Sequence, residues 1–288
     1  MKLQTPVADD KCRIGISYND KIMMLGSCFS DNIGKQLKDL GFDVCVNPFG
    51  TLYNPASIKD AIHRLISRTP FTEKDCTIIG AGSQKICSFS HHTSFARETV
   101  EEFLENANAA LKEAADFFAQ CNKVIITLGT SWCYRNIETG KIVSNCLKHP
   151  AAEFTRELLP AHTTGEILSE IIATTGKEFI FTVSPIRHFK DGAHGNQLSK
   201  AALLLGADSA IMENMSKADY FPAYEIVTDE LRDYRFYAED MCHPSQQTVN
   251  YIRERFLNWA LPAEDHKRLE ENIRQFKLSC HRSFHANP

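Results

Sequence analysis

Short apolar runs, each followed by a stretch with helical periodicity, recur along this chain and constrain its fold most strongly. A continuous apolar run is typical of a strand buried on both faces of a parallel sheet. Such runs predict strands at residues 21–25, 42–46, 122–129 and 178–183. Apolar residues three and four apart predict helices at about 30–40, 55–67, 97–119, 196–205 and 245–260. Interleaved strands and helices of these lengths favour an α/β fold with a three-layer, doubly wound parallel sheet.

The organisation of the chain favours one domain. Its 288 residues can bury a substantial core. Residues 76–95 are less regular and are predicted as a strand or hairpin excursion, and a polar C-terminal helix is expected at about 263–279. Because no repeat, low-complexity tract or linker interrupts the pattern, we expect a single domain over residues 1–288.

Composition argues against several classes of protein. The formal net charge is −4 without a basic stripe, so a nucleic-acid partner is not expected. No apolar stretch is long enough to cross a membrane, and the N-terminus lacks the apolar core of a signal peptide. Ten cysteines are scattered without a C-x-x-C pair, which argues against a disulfide framework and a structural zinc site. We therefore expect a cytoplasmic protein with reduced thiols and no metal or cofactor.

Residues that carry chemistry cluster where the predicted strands end. Three runs end in Gly26-Ser27-Cys28, Gly129-Thr130-Ser131 and Ser184-Pro185. Parallel sheets bind ligands at the carboxyl ends of their strands, so these segments are expected at one edge. Ser27 and Cys28 are the candidate nucleophiles at that edge.

The best candidate for a base lies near the C-terminus, in the segment YAEDMCHPS. Asp240 precedes His243 by three residues, on a turn that Pro244 helps to end. At this spacing the carboxylate reaches the imidazole Nδ1–H and leaves Nε2 free to accept a proton, as in hydrolytic triads. The alternatives are structural: Asp240 caps the following helix, or the His243 ring binds the backbone as a cap.

The two candidate nucleophiles differ in what a helix N-terminus does for them. Cys28 is expected near the start of a helix, where the dipole and free N–H groups stabilise a thiolate and lower its pKa. Ser27 would then brace the loop with its hydroxyl group. This argument favours Cys28 and keeps Ser27 as the alternative.

Taken in order, these blocks resemble a known group. G-S-C after the first strand, a glycine-bearing loop after the second, G-T-S after a central strand and D-x-x-H near the end are similar to the SGNH/GDSL hydrolase superfamily. LGSCFS, SPIRH and EDMCHPS resemble the GSCFA family more closely, over about residues 20–260. The resemblance implies a flavodoxin-like sheet of the SGNH-hydrolase type.

The resemblance also implies a register at the nucleophile. It places Gly26 on the superfamily's glycine, Ser27 on its aspartate and Cys28 on its serine, so that a thiol stands where the superfamily has a hydroxyl. A shift by one residue makes Ser27 the nucleophile but loses the glycine match.

The resemblance implies oxyanion donors as well. These are the backbone N–H at the nucleophile, Gly50 in NPFGTLYNP, and a side chain in the block that contains Thr130 and Ser131. Ser131 stands where the superfamily has asparagine, and because a hydroxyl reaches less far, Asn47 is the alternative donor.

Four further residues are candidates for contacts with substrate. His91 and His92 are expected either in the cleft or in a solvated loop. Arg187 and His188 follow a strand end, where a guanidinium group can bind a carboxylate or phosphate. The alternative for this pair is a salt bridge that holds the loop.

Three functions are compatible with these residues. By resemblance, the chain is expected to be an esterase or acyltransferase acting on a small acyl ester, carried by a sugar or similar polar metabolite. Its triad would be Cys28 or Ser27 with His243 and Asp240. The second hypothesis, motivated by Ser131 in place of asparagine, is a non-catalytic module that binds a carbohydrate or a protein. The third is a redox sensor in which Cys28 is oxidised.

Overall fold

A computed structural model describes residues 5–8 and 12–285. The strands are β1 (Lys21–Gly26), β2 (Asp43–Val46), β3 (Thr77–Ile78), β4 (Ile86–Cys87), β5 (Lys123–Leu128), β6 (Trp132–Asn136), β7 (Ile142–Val143), β8 (Phe154–Leu158), β9 (Glu178–Val183) and β10 (Ala218–Tyr220). The helices are α1 (Cys28–Asp39), α2 (Pro55–Ser67), α3 (Val100–Gln120), α4 (Ala161–Thr175), α5 (Gly192–Glu213), α6 (Ala223–Glu225), α7 (Gln246–Ala260) and α8 (His266–His285).

Five strands form a parallel sheet in the order β10-β9-β5-β1-β2. Counted within this sheet from β1, the order is 2-1-3-4-5, one of the orders found in doubly wound sheets. The register pairs Gly26 with Thr127 and Leu128 with Val183, so β1, β5 and β9 end side by side. The predicted α/β fold with a parallel sheet is confirmed.

Helices cover both faces of this sheet, which gives three layers. Alternate β1 residues point to opposite sides: Met23 and Leu25 pack with α2, α3, α4 and α5, whereas Ile22 and Met24 pack with α1 and α7. Burial on both sides explains why the strands read as continuous apolar runs. None of the helices in residues 5–8 and 12–285 is both long and apolar enough to cross a membrane.

Some element boundaries differ from the predicted ones because caps decide them. Helix α1 begins at Cys28 rather than about residue 30, because the Ser27 side chain caps it. Helix α3 begins at Val100 rather than 97, where Thr99 and Glu102 form a reciprocal capping box. Helix α5 extends to Gly192–Glu213, well beyond the predicted 196–205.

An antiparallel sheet was missed by the sequence analysis. It has the order β7-β6-β8 and lies between β5 and β9 in the chain, followed by α4. β6 reads WCYRN, and only Cys133 and Asn136 in it are buried, so no apolar run marks it. The predicted excursion at residues 76–95 is present as the short β3–β4 hairpin.

Candidate functional site

The joint between β1 and α1 lies at the carboxyl edge of the parallel sheet. Ser27 is buried, and its Oγ accepts a hydrogen bond from the Phe29 N–H at 3.3 Å. Its own N–H donates to the Thr127 carbonyl on β5. Gly26 has a φ of +138°, and a Cβ there would lie 2.2 Å from the Thr127 oxygen. Ser27 therefore braces a tight joint, and Cys28 is the first helical residue.

Removal of the Ser27 cap is expected to destabilise the fold. An N-cap serine is worth about 1 kcal/mol of unfolding free energy, so Ser27→Ala should lose about that amount. Urea unfolding followed by circular dichroism measures the change, with the exposed Ser216→Ala as the matched control. Equal unfolding free energies for Ser27→Ala and wild type would contradict the assigned role of the hydroxyl.

Cys28 is half-buried, and its surroundings oppose ionisation. Burial raises the pKa of the thiol most, and the Asp31 carboxylate raises it further. The N–H groups of Cys28 and Phe29 at the start of α1 act in the opposite direction but are outweighed. The expectation of a lowered thiol pKa is therefore wrong, because desolvation exceeds the effect of the helix N-terminus. Deprotonation of Cys28 at neutral pH needs a base.

The Asp240–His243 pair forms as its spacing predicts. Nδ1 of His243 lies 2.6 Å from Oδ2 of Asp240, and Oδ1 accepts the backbone N–H groups of Cys242 and His243 at 2.9 Å. The backbone and side-chain hydrogen bonds from His243, with that from Cys242, lower the pKa of Asp240 to about 2. Asp240 is not a helix cap, because Ser245 caps α7. The ring of His243 is half-exposed and oriented by a carboxylate.

The segment after β9 and the turn before α7 are tied together beside this pair. The Arg187 N–H donates to the Cys242 carbonyl at 3.2 Å, and the Cys242 thiol donates to the Arg187 carbonyl. Cys242 also acts electrostatically on Cys28. Cys28 and His243 thus share one edge of the sheet, although no hydrogen bond joins thiol and imidazole in the described part of the chain.

Gly50 and Asn47 shape the loop after β2, and the backbone N–H of Gly50 is not free to act as an oxyanion donor. The Gly50 N–H donates to the Asn47 carbonyl at 2.8 Å. Oδ1 of Asn47 accepts the Gly26 N–H at 2.9 Å, and Nδ2 donates to Asp31 at 2.7 Å. Gly50 is required for another reason: its φ is +81°, and a Cβ would meet the Cβ of His92 at 2.3 Å. The predicted donor role of Gly50 is therefore wrong, whereas Asn47 uses only one of its two Nδ2–H groups on Asp31.

Ser131 and Thr130 face helix α5 rather than the sheet edge. Ser131 is fully buried, and its hydroxyl donates to the Ser199 carbonyl at 3.3 Å. The Thr130 hydroxyl lies 2.9 Å from the hydroxyl of Ser199, and the backbone N–H of Thr130 donates to the Tyr53 carbonyl. The prediction that Ser131 supplies an oxyanion donor is wrong, because its hydroxyl is used to hold α5.

His92 lies beside the loop after β2. Its Nδ1 accepts the Ser94 N–H at 3.2 Å and caps a short turn. It also acts electrostatically on Asp31 in the first turn of α1. His92 is therefore half-buried next to the candidate site and is not simply solvated.

Arg187 and His188 lie at the same edge, and their side chains differ in charge. The guanidinium carbon of Arg187 lies 4.9 Å from the centre of the Phe189 ring. Arg187 forms no salt bridge within the described residues, so the alternative of a salt bridge that holds the loop is wrong. Burial lowers the pKa of His188 to about 4, which keeps its ring neutral at pH 7. The backbone N–H of His188 donates to Oδ1 of Asn196 at 3.0 Å. The buried Nε2 of its ring has no hydrogen-bond partner among the described residues.

His91 belongs to the core rather than to the site. Its fully buried ring contacts those of Phe49, Phe71, Phe95 and Phe103, and Nδ1 lies 2.7 Å from the Ser88 hydroxyl. Burial lowers the pKa of His91 to about 3.

This buried histidine predicts acid sensitivity of the fold. Below about pH 6.5 His91 is protonated in the unfolded chain but stays neutral in the folded protein, so the unfolding free energy falls as the pH falls. We expect His91→Leu to reduce that slope by about 1.4 kcal/mol per pH unit. Urea unfolding at several pH values below 6.5 measures it, with the exposed His194→Leu as the control. Parallel slopes for His91→Leu and wild type would contradict a neutral buried ring.

Two residues at this edge were not predicted, Lys200 and Tyr53. Nζ of Lys200 is fully buried and donates to the carbonyls of Gly129 and Ser184, both at 2.7 Å. The Tyr53 carbonyl accepts the Gly129 N–H at 2.9 Å, and the Tyr53 ring packs edge-on against the ring of His188. The sequence signal for Lys200 is its place on the buried face of α5, with the buried residues Asn196, Ser199, Leu203 and Ala207.

No group of three or more His, Cys, Asp or Glu side chains among the described residues is arranged to bind a metal ion.

The sequence is similar to a known protein family over most of its length. No curated protein matches the sequence. A model of the GSCFA family matches residues 21–256, which include Cys28, Lys200, Asp240 and His243. The chain therefore belongs to the GSCFA family.

Proposed function

We propose that this protein is an SGNH-like ester hydrolase or acyltransferase with the triad Cys28, His243 and Asp240. One observation carries the proposal: a carboxylate-oriented imidazole, with 2.6 Å between Nδ1 and Oδ2, stands at the sheet edge where Cys28 begins α1. This orientation leaves Nε2 to accept a proton from a nucleophile. Ser27 is the less favoured nucleophile because its hydroxyl caps α1.

The strand order supports the SGNH type. The order 2-1-3-4-5 is that of flavodoxin-like sheets, which bind ligands beyond the carboxyl ends of the strands. Cys28 follows β1, Gly129 follows β5, and the segment of Arg187 follows β9, so the blocks that resemble the superfamily meet at this edge.

The proposed reaction proceeds through an acyl thioester. Cys28 Sγ attacks the acyl carbon while its S–H proton passes to Nε2 of His243. The imidazolium then donates this proton to the leaving alcohol, and Cys28 retains the acyl group. Water, in hydrolysis, or a second alcohol, in transfer, then attacks the thioester carbon while its proton passes to Nε2 of His243. The bond between the acyl carbon and Sγ breaks, and the imidazolium returns the proton to Sγ of Cys28. Because burial raises the pKa of Cys28, proton transfer to His243 activates the thiol.

The Cys28 N–H is the proposed oxyanion donor. It lies at the first position of α1, where helical N–H groups have no partner within the helix. The helix dipole also favours the negative charge that develops on the acyl oxygen. The Gly50 N–H and the Ser131 hydroxyl are not assigned this role, because the first donates to Asn47 and the second to Ser199.

The proposed substrate is a small acyl ester, carried by a sugar or similar polar metabolite. The polar side chains of Arg187, His188 and His92 around the edge support a polar acceptor. p-Nitrophenyl acetate, p-nitrophenyl butyrate and an acetylated sugar test it. We expect the wild-type protein to accelerate cleavage of at least one ester. The control variant Cys76→Ala, which removes a cysteine next to β3, should do the same. No cleavage of any of them above the uncatalysed rate would contradict the proposal.

A second candidate function is a non-catalytic module that binds a carbohydrate or a protein partner. Two observations favour it: the Ser131 hydroxyl is committed to Ser199, and burial raises the pKa of Cys28. The rate of Cys28 alkylation against pH separates the candidates. A Cys28 alkylation rate that changes in His243→Ala supports the enzyme. A slow rate that is the same in wild type and His243→Ala supports the binding module.

A further inference from the structure

The side chain of Lys200 reaches the same sheet edge from α5 through the core. It is 1% exposed, and its ammonium group donates to the carbonyls of Gly129 and Ser184. These residues directly follow β5 and β9. β5 lies between β9 and β1, and Thr127 of β5 pairs with Gly26 of β1, so Gly129 and Cys28 each lie two residues beyond paired positions of adjacent strands. The bond to the Gly129 carbonyl therefore places Nζ one strand away from the joint that contains Cys28.

The positive charge of Lys200 has no carboxylate counter-ion within the described residues. The titratable groups that face it are Cys28 at the start of α1, Cys242 before α7, His188 after β9 and Tyr224 on α6, whose ring centroid is 5.8 Å from Nζ. Two neutral carbonyls satisfy two of its three N–H donors but do not neutralise it. Burial of an unpaired ammonium group is costly and favours loss of its proton, so an anion that forms nearby during function would stabilise the charged form.

We propose that the Lys200 ammonium group is the counter-ion of the Cys28 thiolate and acts as a positioning residue for the nucleophile. The S–H bond of Cys28 breaks, its proton passes to His243, and the resulting thiolate is stabilised by the ammonium group and the N-terminus of α1. Nothing is oxidised or reduced. The role in turnover rests on the proposed function, but the pairing of residues 28 and 200 does not.

The reverse effect is consistent with this pairing. Burial lowers the pKa of Lys200 to about 7, and negative charge on Cys242 and Cys28 raises it. The coupling free energy belongs to the pair, so a group that shifts the ionisation of Lys200 is shifted by it in turn. Cys242 has the larger effect of the two, and the charge of Lys200 lowers the pKa of Cys242. We expect the same effect at Cys28, which is the thiol proposed to ionise during function.

Alkylation of individual cysteines tests the proposal directly. Iodoacetamide labelling across a pH series, read by peptide mass spectrometry, reports Cys28 and the control Cys76 in the same sample. We expect Lys200→Met to raise the midpoint of Cys28 alkylation by about one unit, which is about a tenfold lower rate near neutral pH. Lys200→Arg should restore most of the rate, and Cys76 should be unaffected. A folded Lys200→Met protein with the wild-type Cys28 profile would overturn the proposal.

A second measurement does not depend on a change at Lys200. Cys28→Asp and Cys28→Asn place a charged and a neutral group of similar size beside it, and lysine Cε chemical shifts report the titration of Lys200. We expect a midpoint about one unit higher in Cys28→Asp than in Cys28→Asn. Identical midpoints would overturn the pairing. Neither readout uses ester cleavage, so failure of this inference and failure of the proposed function are distinguishable.

Discussion

Cys28→Ala is expected to lower kcat/KM for ester cleavage by at least about 10³-fold, because it removes the atom that forms the covalent bond. Cys28→Ser should retain intermediate activity, since a hydroxyl at the same position can still be deprotonated by His243. The fold should persist in both variants, because Cys28 is half-buried and its side chain is not the cap of α1. Initial rates with p-nitrophenyl acetate and circular dichroism measure both effects.

Ser27→Ala is the control that separates the two candidate nucleophiles. Its hydroxyl is buried and caps α1, so its loss should affect stability more than the chemical step. Cys76→Ala controls for the loss of a half-buried thiol elsewhere. A rate that collapses in Ser27→Ala and survives in Cys28→Ala would reverse the assignment of the attacking atom.

His243→Ala is expected to reduce kcat by about 10²- to 10⁴-fold, the usual contribution of a general acid and base. Asp240→Asn should also lower kcat, but by less than removal of the imidazole does, because the ring stays in place while the amide no longer fixes the tautomer with the proton on Nδ1. The two variants should not be additive, since the residues act as one unit. Single-turnover rates of the two variants and of the double variant measure this.

The pH dependence of the wild-type enzyme provides a check on the same pair. The pKa of Asp240 is lowered to about 2, so its carboxylate stays ionised as the pH falls from neutrality towards 2. In the unfolded chain the pKa of this residue is near 4. Any contribution of the carboxylate to the unfolding free energy is therefore present above pH 4 and is lost as the pH falls towards 2. The acid limb of activity above about pH 4 therefore cannot come from Asp240. Glu239→Gln and His194→Ala change exposed residues of the same charge types outside the pair and should retain wild-type rates.

The parallel sheet was predictable because its strands are buried on both faces. Runs such as Ile22–Leu25 and Glu178–Val183 carry no polar alternation that would confuse them with surface strands. The β7-β6-β8 sheet was not predictable in this way, since half-buried strands such as β6 mix aromatic, charged and amide side chains. β10 has only three residues, and a run that short carries no periodicity.

The candidate site was predictable where local spacing decides the contact. Asp240 and His243 are three residues apart, and a turn alone brings them together. The roles of Gly50, Ser131 and Lys200 depend on hydrogen bonds with residues far away in the chain or on packing between elements. Ser131 meets Ser199 across 68 positions, and Lys200 meets Gly129 across 71. The raised pKa of Cys28 likewise follows from burial, which a single sequence position does not reveal.

The central event of the proposed reaction is transfer of an acyl group to the sulfur at the start of α1. Incubation with a slowly turned-over acyl ester, followed by acid quench, intact-mass measurement and fragmentation of the peptide around residues 27 and 28, tests it most directly. We predict one acyl group on Cys28, released by hydroxylamine as a thioester and absent from His243→Ala. An acyl group on Ser27 or elsewhere, or no adduct while the ester is still cleaved, would contradict it.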